Sequence, residues 1–431
     1  MIKKMTKKTI QKMIKKMTKK KMIFALLTCC ILFAQCKKEE VGPTDVNKPE
    51  HNIKPDASKS IASVTIKEGP KKVQYVLNEA LDLQGMVVEV TYEGGEKARV
   101  TSIPKAWATG FSSKEASEGL QVSLKPERVT TGFSAPSFQV KVLPLVVKDN
   151  HIVKVVASTF TKLEVPEGIT AVEDEVFGGN ASLEEVVLPK SLTKIGSYAF
   201  FQSKKLKVVD LSKTQLTELP TGVFEHCTGL EKVMLPPTLK TIGSNAFLYT
   251  SSLTSVNLPK GLEEIGLAAF SHCGLESIQL PNTLTQMKRS FYACEKLKKV
   301  TTFGDDFTIT DDNKMTGECF QHCEALEVFE IPASITDIEM SILGKCKVKS
   351  ITIPAGMKRL QFNAFGGASS LKSITFEGTE LVTLEDDAIP ANVEHIYLPQ
   401  EAVEAFKQRY PQWSKKVKGK TEAEAKTTTE K

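Results

Sequence analysis

Tryptophan is almost missing from this chain: there are two in 431 residues, Trp107 and Trp413. No nucleophile elbow, phosphate-binding loop, HExxH pair or paired-carboxylate motif occurs, which counts against the enzymes those motifs define. Residues 1–35 hold ten lysines and no acid. Those ten outweigh the net +6 of the whole chain and leave the remainder at −4, which disfavours a basic nucleic-acid surface. The longest apolar stretch, about a dozen residues after Met22, is too short to span a bilayer comfortably. Apolar residues make up 41% and charged residues 25%, enough to bury real cores and to exclude wholesale disorder. At roughly 150 residues per domain, the length allows two or three domains.

The lysine-rich start followed by Met22-Ile-Phe-Ala-Leu-Leu has the layout of an export signal over 1–35. MIKKMTKK occurs at both 1–8 and 13–20, which points to a start at Met13 or Met17. The segment ends in Phe33-Ala34-Gln35-Cys36, which resembles a bacterial lipobox with bulkier residues than usual at Phe33 and Gln35. That resemblance implies lipid attachment at Cys36, and at about 0.8 kcal/mol per buried methylene two or more acyl chains anchor stably. The following Lys37-Lys38-Glu39-Glu40 resembles the charged signal that sends such lipoproteins to the outer face of the outer membrane. Residues 36–58 carry almost no large apolar side chain and read as a flexible tether, with a reach of roughly 25 Å.

Residues 59–147 alternate apolar and polar residues in short runs, around Val64, Val88, Val122 and Val140, separated by turn signals such as Glu93-Gly94-Gly95. A small β-sandwich is expected. The string from Tyr75 through Leu81-Asp82-Leu83-Gln84-Gly85 to Tyr92-Glu93-Gly94-Gly95 resembles the bacterial immunoglobulin-like domains of surface proteins, which usually act as spacers. It contains no cysteine, so no inter-sheet disulfide is expected.

Over 148–400 one pattern recurs: Leu183-Glu-Glu-Val186-Val-Leu188-Pro189, Leu230-Glu-Lys-Val233-Met-Leu235-Pro236 and Leu275-Glu-Ser-Ile278-Gln-Leu280-Pro281 are three copies. Each is followed by a second half such as Ile195-Gly196-Ser-Tyr-Ala199-Phe200. Prolines and phenylalanines return every 22 or 23 residues or near multiples, the mark of a solenoid whose stacked turns share one core. The pattern resembles the BspA-type leucine-rich repeat, Leu-x-x-Ile-x-Leu-Pro followed by Ile-Gly-x-x-Ala-Phe-x-x-Cys. A mostly β fold follows as the expectation: a leucine-rich-repeat solenoid of about ten turns after a small immunoglobulin-like sandwich. Residues 401–417 read as an amphipathic helical cap and 418–431 as a solvated tail.

Cys227, Cys273, Cys294, Cys323 and Cys346 all fall three residues after the landmark Phe or Leu. Their interchange with Ser203, Thr250 and Ala368 in other turns favours a ladder of small buried side chains over a metal or disulfide site. Cys319 falls off that ladder and is expected to behave differently. His226, His272 and His322 each precede a ladder cysteine, but alternate turns put them roughly 10 Å apart, too far to share zinc. The stretch Asp305-Asp306 to Glu318 reads as a protruding loop, because Met315 and Thr316 occupy positions a calcium loop reserves for a ligand and glycine. No metal and no cofactor are expected.

The outward strand positions are the candidate binding face: Glu185, Val187, Asp210, Lys232, Met234, Asn257, Gln279, Lys299, Glu330 and Tyr397. The family resemblance implies cell-surface adhesion and protein binding without catalysis, with host matrix, a host receptor or another bacterium as partner. The alternative is a glycan-binding accessory lipoprotein of a polysaccharide-uptake system. Sugars stack on exposed aromatic faces, and only Tyr397 among these positions is aromatic, which favours a protein ligand. Loss of sugar binding on Trp107→Ala would favour the alternative.

Overall fold

A computed structural model describes residues 53–157, 159–304 and 313–420. The expected export signal, Cys36, most of the tether, the acidic stretch 305–312 and most of the tail lie outside the described residues.

Two small sheets open the described chain. Ile61–Glu68, Val87–Tyr92 and Lys97–Val100 pair antiparallel in one, and Gln74–Tyr75, Ser137–Val142, Ser117–Leu124 and Ala108–Thr109 form the other in that order. Alternation puts Val64, Val88, Val90 and Val100 inside, and Leu124 and Trp107 join them in one core. Trp107 is only 6% exposed. It is a core residue, not a platform, so Trp107→Ala would report on folding rather than on sugar.

The expected boundary at 147 falls inside a hairpin. Leu145–Lys148 pairs antiparallel with His151–Val155, turning through Asp149 and Asn150 at φ 49° and 64°, the two left-handed residues of a tight hairpin turn. His151–Val155 then pairs in parallel with Ala171–Val172, the first strand of the repeats' second side. Leu143 and Leu145 belong to the solenoid core while Leu143 and Leu77 bond to Tyr75 and Leu145 backbone carbonyls. The small domain therefore closes the open N-terminal end of the repeats and forms one compact unit with them.

About 11 turns follow. One side carries short parallel strands with Leu163, Val186, Val209 and Val233 in register. It is broken into three pieces, Lys162–Glu164 to Lys232–Met234, Ser277–Pro281 to Val328–Phe329, and Ser350–Ile353 to Val417–Gly419. The opposite side comes in two pieces, Ala171–Val172 and Lys194–Ile195 in one sheet with the hairpin, then eight strands in one sheet from Glu218–Leu219 to Thr383–Leu384. The landmark prolines end the first strand and accept a bond from three residues on, as Pro189 does from Leu192 and Pro281 from Leu284, since proline has no N–H to extend the ladder. Glycine after the second strand is needed for close approach. A Cβ on Gly196 would lie 2.4 Å from the Asp174 nitrogen, and one on Gly243 2.7 Å from the Leu219 carbonyl oxygen.

The core is a column of phenylalanines. Phe177, Phe200, Phe224, Phe247, Phe270, Phe291 and Phe320 stack in sequence with ring centroids 4.6–5.3 Å apart, each pair adding about 0.5–1.5 kcal/mol beyond its buried area. The loop holding each ring is bent by two left-handed residues, one two positions before the ring and one two positions after. In the Phe247 turn these are Asn245 (φ 56°) and Tyr249 (φ 59°). For residues other than glycine that conformation costs about 1–2 kcal/mol. Inter-turn bonds offset it: Asn245, Phe247 and Tyr249 amides donate to Leu267, Ala269 and Ser271 carbonyls at 2.9, 2.7 and 3.0 Å.

The C-terminal cap is shorter and more varied than a helix over 401–417. Only Val403–Arg409 is α-helical, because Pro411 cannot continue the helix. Val403 and Phe406 bury against the last turn, and Val417–Gly419, reaching past the expected start of the tail, adds a final parallel strand.

Candidate binding surfaces

The outward strand row lies on the broken side of the solenoid. Lys232, Gln279, Lys299 and Glu330 are exposed, while Glu185, Val187, Asp210, Met234 and Tyr397 are half-buried. Asn257 is exposed but belongs to no strand, because 253–259 is where that sheet is interrupted. The Asp210 carboxylate accepts from the Ser212 amide and hydroxyl at 2.9 and 2.6 Å, and Glu330 accepts from the Thr302 amide at 2.7 Å. Beside them run lateral ion pairs between neighbouring turns: Lys162–Glu185 at 2.6 Å, Lys207–Glu184 at 2.7 Å and Lys372–Glu394 at 2.8 Å. Much of this face's polarity is thus committed to holding turns together. Lys232, Asn257, Gln279 and Lys299 are its more open members.

The thiol ladder has a reason beyond size. Cys227, Cys273, Cys294, Cys323 and Cys346 donate to the carbonyl of the preceding turn's phenylalanine at 2.9–3.2 Å, and the Ser203 hydroxyl does the same at 2.6 Å. Cysteine and serine can both make this bond at small volume, which explains their interchange, while Ala368 holds the same place by size alone. Burial pushes the Cys227 and Cys346 thiols up to about 12 and those of Cys273 and Cys294 well above their ordinary value. Cys319 is no exception. It holds the small buried place just before Phe320, where other turns have Ala199, Ala246 and Ala269, and burial lifts its thiol to about 12 as well.

A second column of rings lies on the outside of the same loops. His226, Tyr249 and His272, each two residues after a core phenylalanine, stack at 4.7 and 4.6 Å with planes within 13°. The column is continued less regularly by Tyr292, 5.8 Å from His272 and turned by 69°, and by His322. With a tyrosine between them, His226 and His272 cannot share an ion. Beside the column lies an open groove of about 240 Å³ lined by Asn245, Tyr249, Leu267, His272, Arg289 and Tyr292. Tyr249 and Leu267 are 40% and 51% exposed, large apolar groups left in water. These rings lie on the loops, not on the strands where the sequence pattern puts the candidate binding face. The available signal was His and Tyr recurring two residues after Phe, visible as the thrice-repeated His-Cys.

The family model for the BspA type leucine-rich repeat region matches in six copies, over stretches that together run from residue 156 to 410. The chain belongs to the BspA-type leucine-rich repeat family. Among solved structures it is similar to a leucine-rich repeat protein from Bacteroides ovatus, at 21% identity over 64% of this chain and 74% of that one, with a TM-score of 0.47. It is also similar to a leucine rich cell surface protein from Faecalibacterium prausnitzii, at 17% identity over 65% and 94%, TM-score 0.32. A third is the leucine-rich repeat protein of T. pallidum, at 19% over 64% and 95%, TM-score 0.26. The chain matches no curated protein.

BspA-like repeat proteins are often cell-surface proteins, and leucine-rich repeats are typically protein-binding scaffolds without catalysis. Among the described residues no helix is long and apolar enough to cross a membrane, and no group of three His, Cys, Asp or Glu is arranged to hold a metal. The expected protruding loop does not extend to Glu318: Lys314–Thr316 is a strand of the eight-stranded sheet, and Glu318 lies in the Phe320 turn, paired with Arg289 at 3.1 Å. Trp413, the second tryptophan, packs partly buried against the core with the Lys416 ammonium 5.1 Å from its ring. Trp107 is buried, and the half-exposed Trp413 is shared with Lys416.

Proposed function

We propose that this BspA-type protein is a lipid-anchored surface module that binds a protein partner through the outward strand face of its solenoid. Export through the signal at 1–35, acylation of Cys36 and display on the outer membrane bring that face to the medium. The immunoglobulin-like resemblance of 59–147 assigns the small domain to spacing, and its packed junction makes it a rigid spacer. The observation that carries the reading is a pair of outward rows on stacked turns, Lys232 and Lys299 in one and Asn257 and Gln279 two residues on in the other, exposed side chains of mixed chemistry. Partner matrix protein, host receptor or a bacterial surface protein would meet those rows edge-on.

The test is binding of the full-length protein to an array of immobilised matrix and receptor proteins. Lys232→Glu with Lys299→Glu is expected to lower retention of a bound partner about tenfold, the scale of losing central contacts. Cys36→Ala is expected to release the protein from membranes without changing the array profile. Unchanged retention in the charge-reversed variant would contradict the reading of this face.

A further inference from the structure

The three most exposed large apolar side chains among the described residues share one repeat position. Phe362 is 54% exposed, Leu267 51% and Met340 49%, and each lies two residues after the inward residue of its turn's second strand. Met340 and Phe362 are in consecutive turns. The Ser341 amide donates to the Asn363 carbonyl at 2.9 Å and the Ile342 amide to Ala364 at 3.1 Å, so the two side chains stand one strand spacing apart, about 5 Å. Gly317 holds the same place in the turn before and Asp386 in the turn after. A Cβ on Gly317 would lie 3.2 Å from the Met340 carbonyl oxygen, and its absence leaves a step beside the apolar pair.

The surroundings of this pair differ from those of Leu267. In the four turns leading up to Leu267, residues 196–198, 220–222, 243–245 and 266–268 include no charged side chain. The same three columns around Met340 and Phe362, at 316–318, 339–341, 361–363 and 385–387, hold five carboxylates and no cation. Glu318 is paired with Arg289 at 3.1 Å, and Glu385 accepts from the Phe362 amide at 2.9 Å. Glu339, Asp386 and Asp387 form no ion pair among the described residues. Arg359, on the adjoining strand, is already held by the Asp337 carboxylate at 2.5 and 3.0 Å.

We infer that this surface docks a basic segment of a partner protein, one that sets a large apolar side chain between lysines or arginines. An exposed apolar pair with a polar rim is the form of an interaction site, and the rim states the partner's charge. A second copy of this chain, meeting the patch through a two-fold contact, would set carboxylates against carboxylates. Anionic lipid or anionic glycan is repelled by the same rim. A bare divalent ion would neutralise the rim and leave Met340 and Phe362 in water. The patch lies on the loops, apart from the strand face assigned above, so either reading can fail without the other.

The test uses the full chain carrying Cys36→Ala, so that neither lipid nor detergent competes, and fluorescence anisotropy of three labelled dodecapeptides. One repeats Lys-Leu-Phe-Lys, one repeats Glu-Leu-Phe-Glu and one repeats Lys-Ser-Ser-Lys. The first is expected to bind about tenfold or more tightly than either of the others. Met340→Ser with Phe362→Ser should weaken it about tenfold or more at an unchanged melting temperature, since both side chains are exposed. Glu339→Lys with Asp386→Lys should weaken it as much and allow the acidic peptide to bind. Leu267→Ser, at the same repeat position without the acids, should leave binding intact. The inference is overturned if the first peptide binds no better than the serine or the acidic one, or if its binding persists in both double variants. Loss of binding in Leu267→Ser also overturns it, as does a dimer in sedimentation that Met340→Ser with Phe362→Ser separates.

Discussion

Two columns of rings rise through the same loops, two residues apart in every turn they share. The inner one is unbroken through seven phenylalanines. The outer one stacks cleanly through His226, Tyr249 and His272 and then continues out of parallel, through Tyr292 at 69° and His322 at 53°. The outer positions keep the same left-handed backbone with a ring, as at Tyr249 (φ 59°), or without one, as at Ala293 (φ 54°), so geometry alone does not demand a ring. Water makes the difference. A missing inner ring leaves a cavity that nothing fills, whereas at the outer position without a ring, Ala293, the neighbouring Tyr292 ring covers the gap. The inner column is therefore a stability device, and the outer one is free to vary.

The strongest way to break that contrast is Phe247→Ala. It should cost about 3–5 kcal/mol in urea denaturation, the range for deleting a buried aromatic. Unfolding of only the flanking turns is an allowed form of that loss in a repeat array. A next, smaller effect concerns polar packing inside the turns. Asp337, 3% exposed, accepts from Arg359 at 2.5 and 3.0 Å and from Gln361 at 2.8 Å. Asp337→Ala should cost about 1–3 kcal/mol, toward the low end because Arg359 is half in water.

The inner side also predicts an alkaline limit. The Cys227, Cys319 and Cys346 thiols are held near 12 against an ordinary 9.0. Above pH 9 the unfolded chain loses thiol protons that the folded chain keeps, so stability is full below that pH and falls as pH rises toward 12. The slope should reach on the order of 1 kcal/mol per pH unit for each such thiol, read from urea midpoints. The same thiols should resist native alkylation. The smallest effect belongs to the outer column: Tyr249→Ala should change stability by less than about 1 kcal/mol. A cost equal to that of Phe247→Ala would erase the distinction between the columns.

The repeat was legible because its strongest requirements fall on distinctive residues. Phenylalanine fills the axis, proline ends the first strand, and Gly196 or Gly243 permits close approach. The buried thiol ladder was legible for the same reason, through Cys–Ser interchange. Cys319 misled because it was compared with the wrong position: its equivalents are Ala199 and Ala246, not Cys227. The left-handed residues were hidden, since Tyr249, His272 and Ala293 adopt φ above 50° under inter-turn bonds that no local propensity announces. That concealment also hid the outer column, because a residue read as loop has no assigned direction. The junction at 143–155 was hidden too, being a hairpin where composition suggested a boundary.

Hydrogen–deuterium exchange at the loop amides tests the stacking of turns most directly. Amides of His226, Tyr249, His272 and Ala293 donate to the next turn at 2.8–3.0 Å, so they should exchange as slowly as the strand amides of Val209 and Ile278. Exchange of those four at the rate of an unstructured peptide, with the strands still protected, would mean that the loops do not stack and that neither ring column exists.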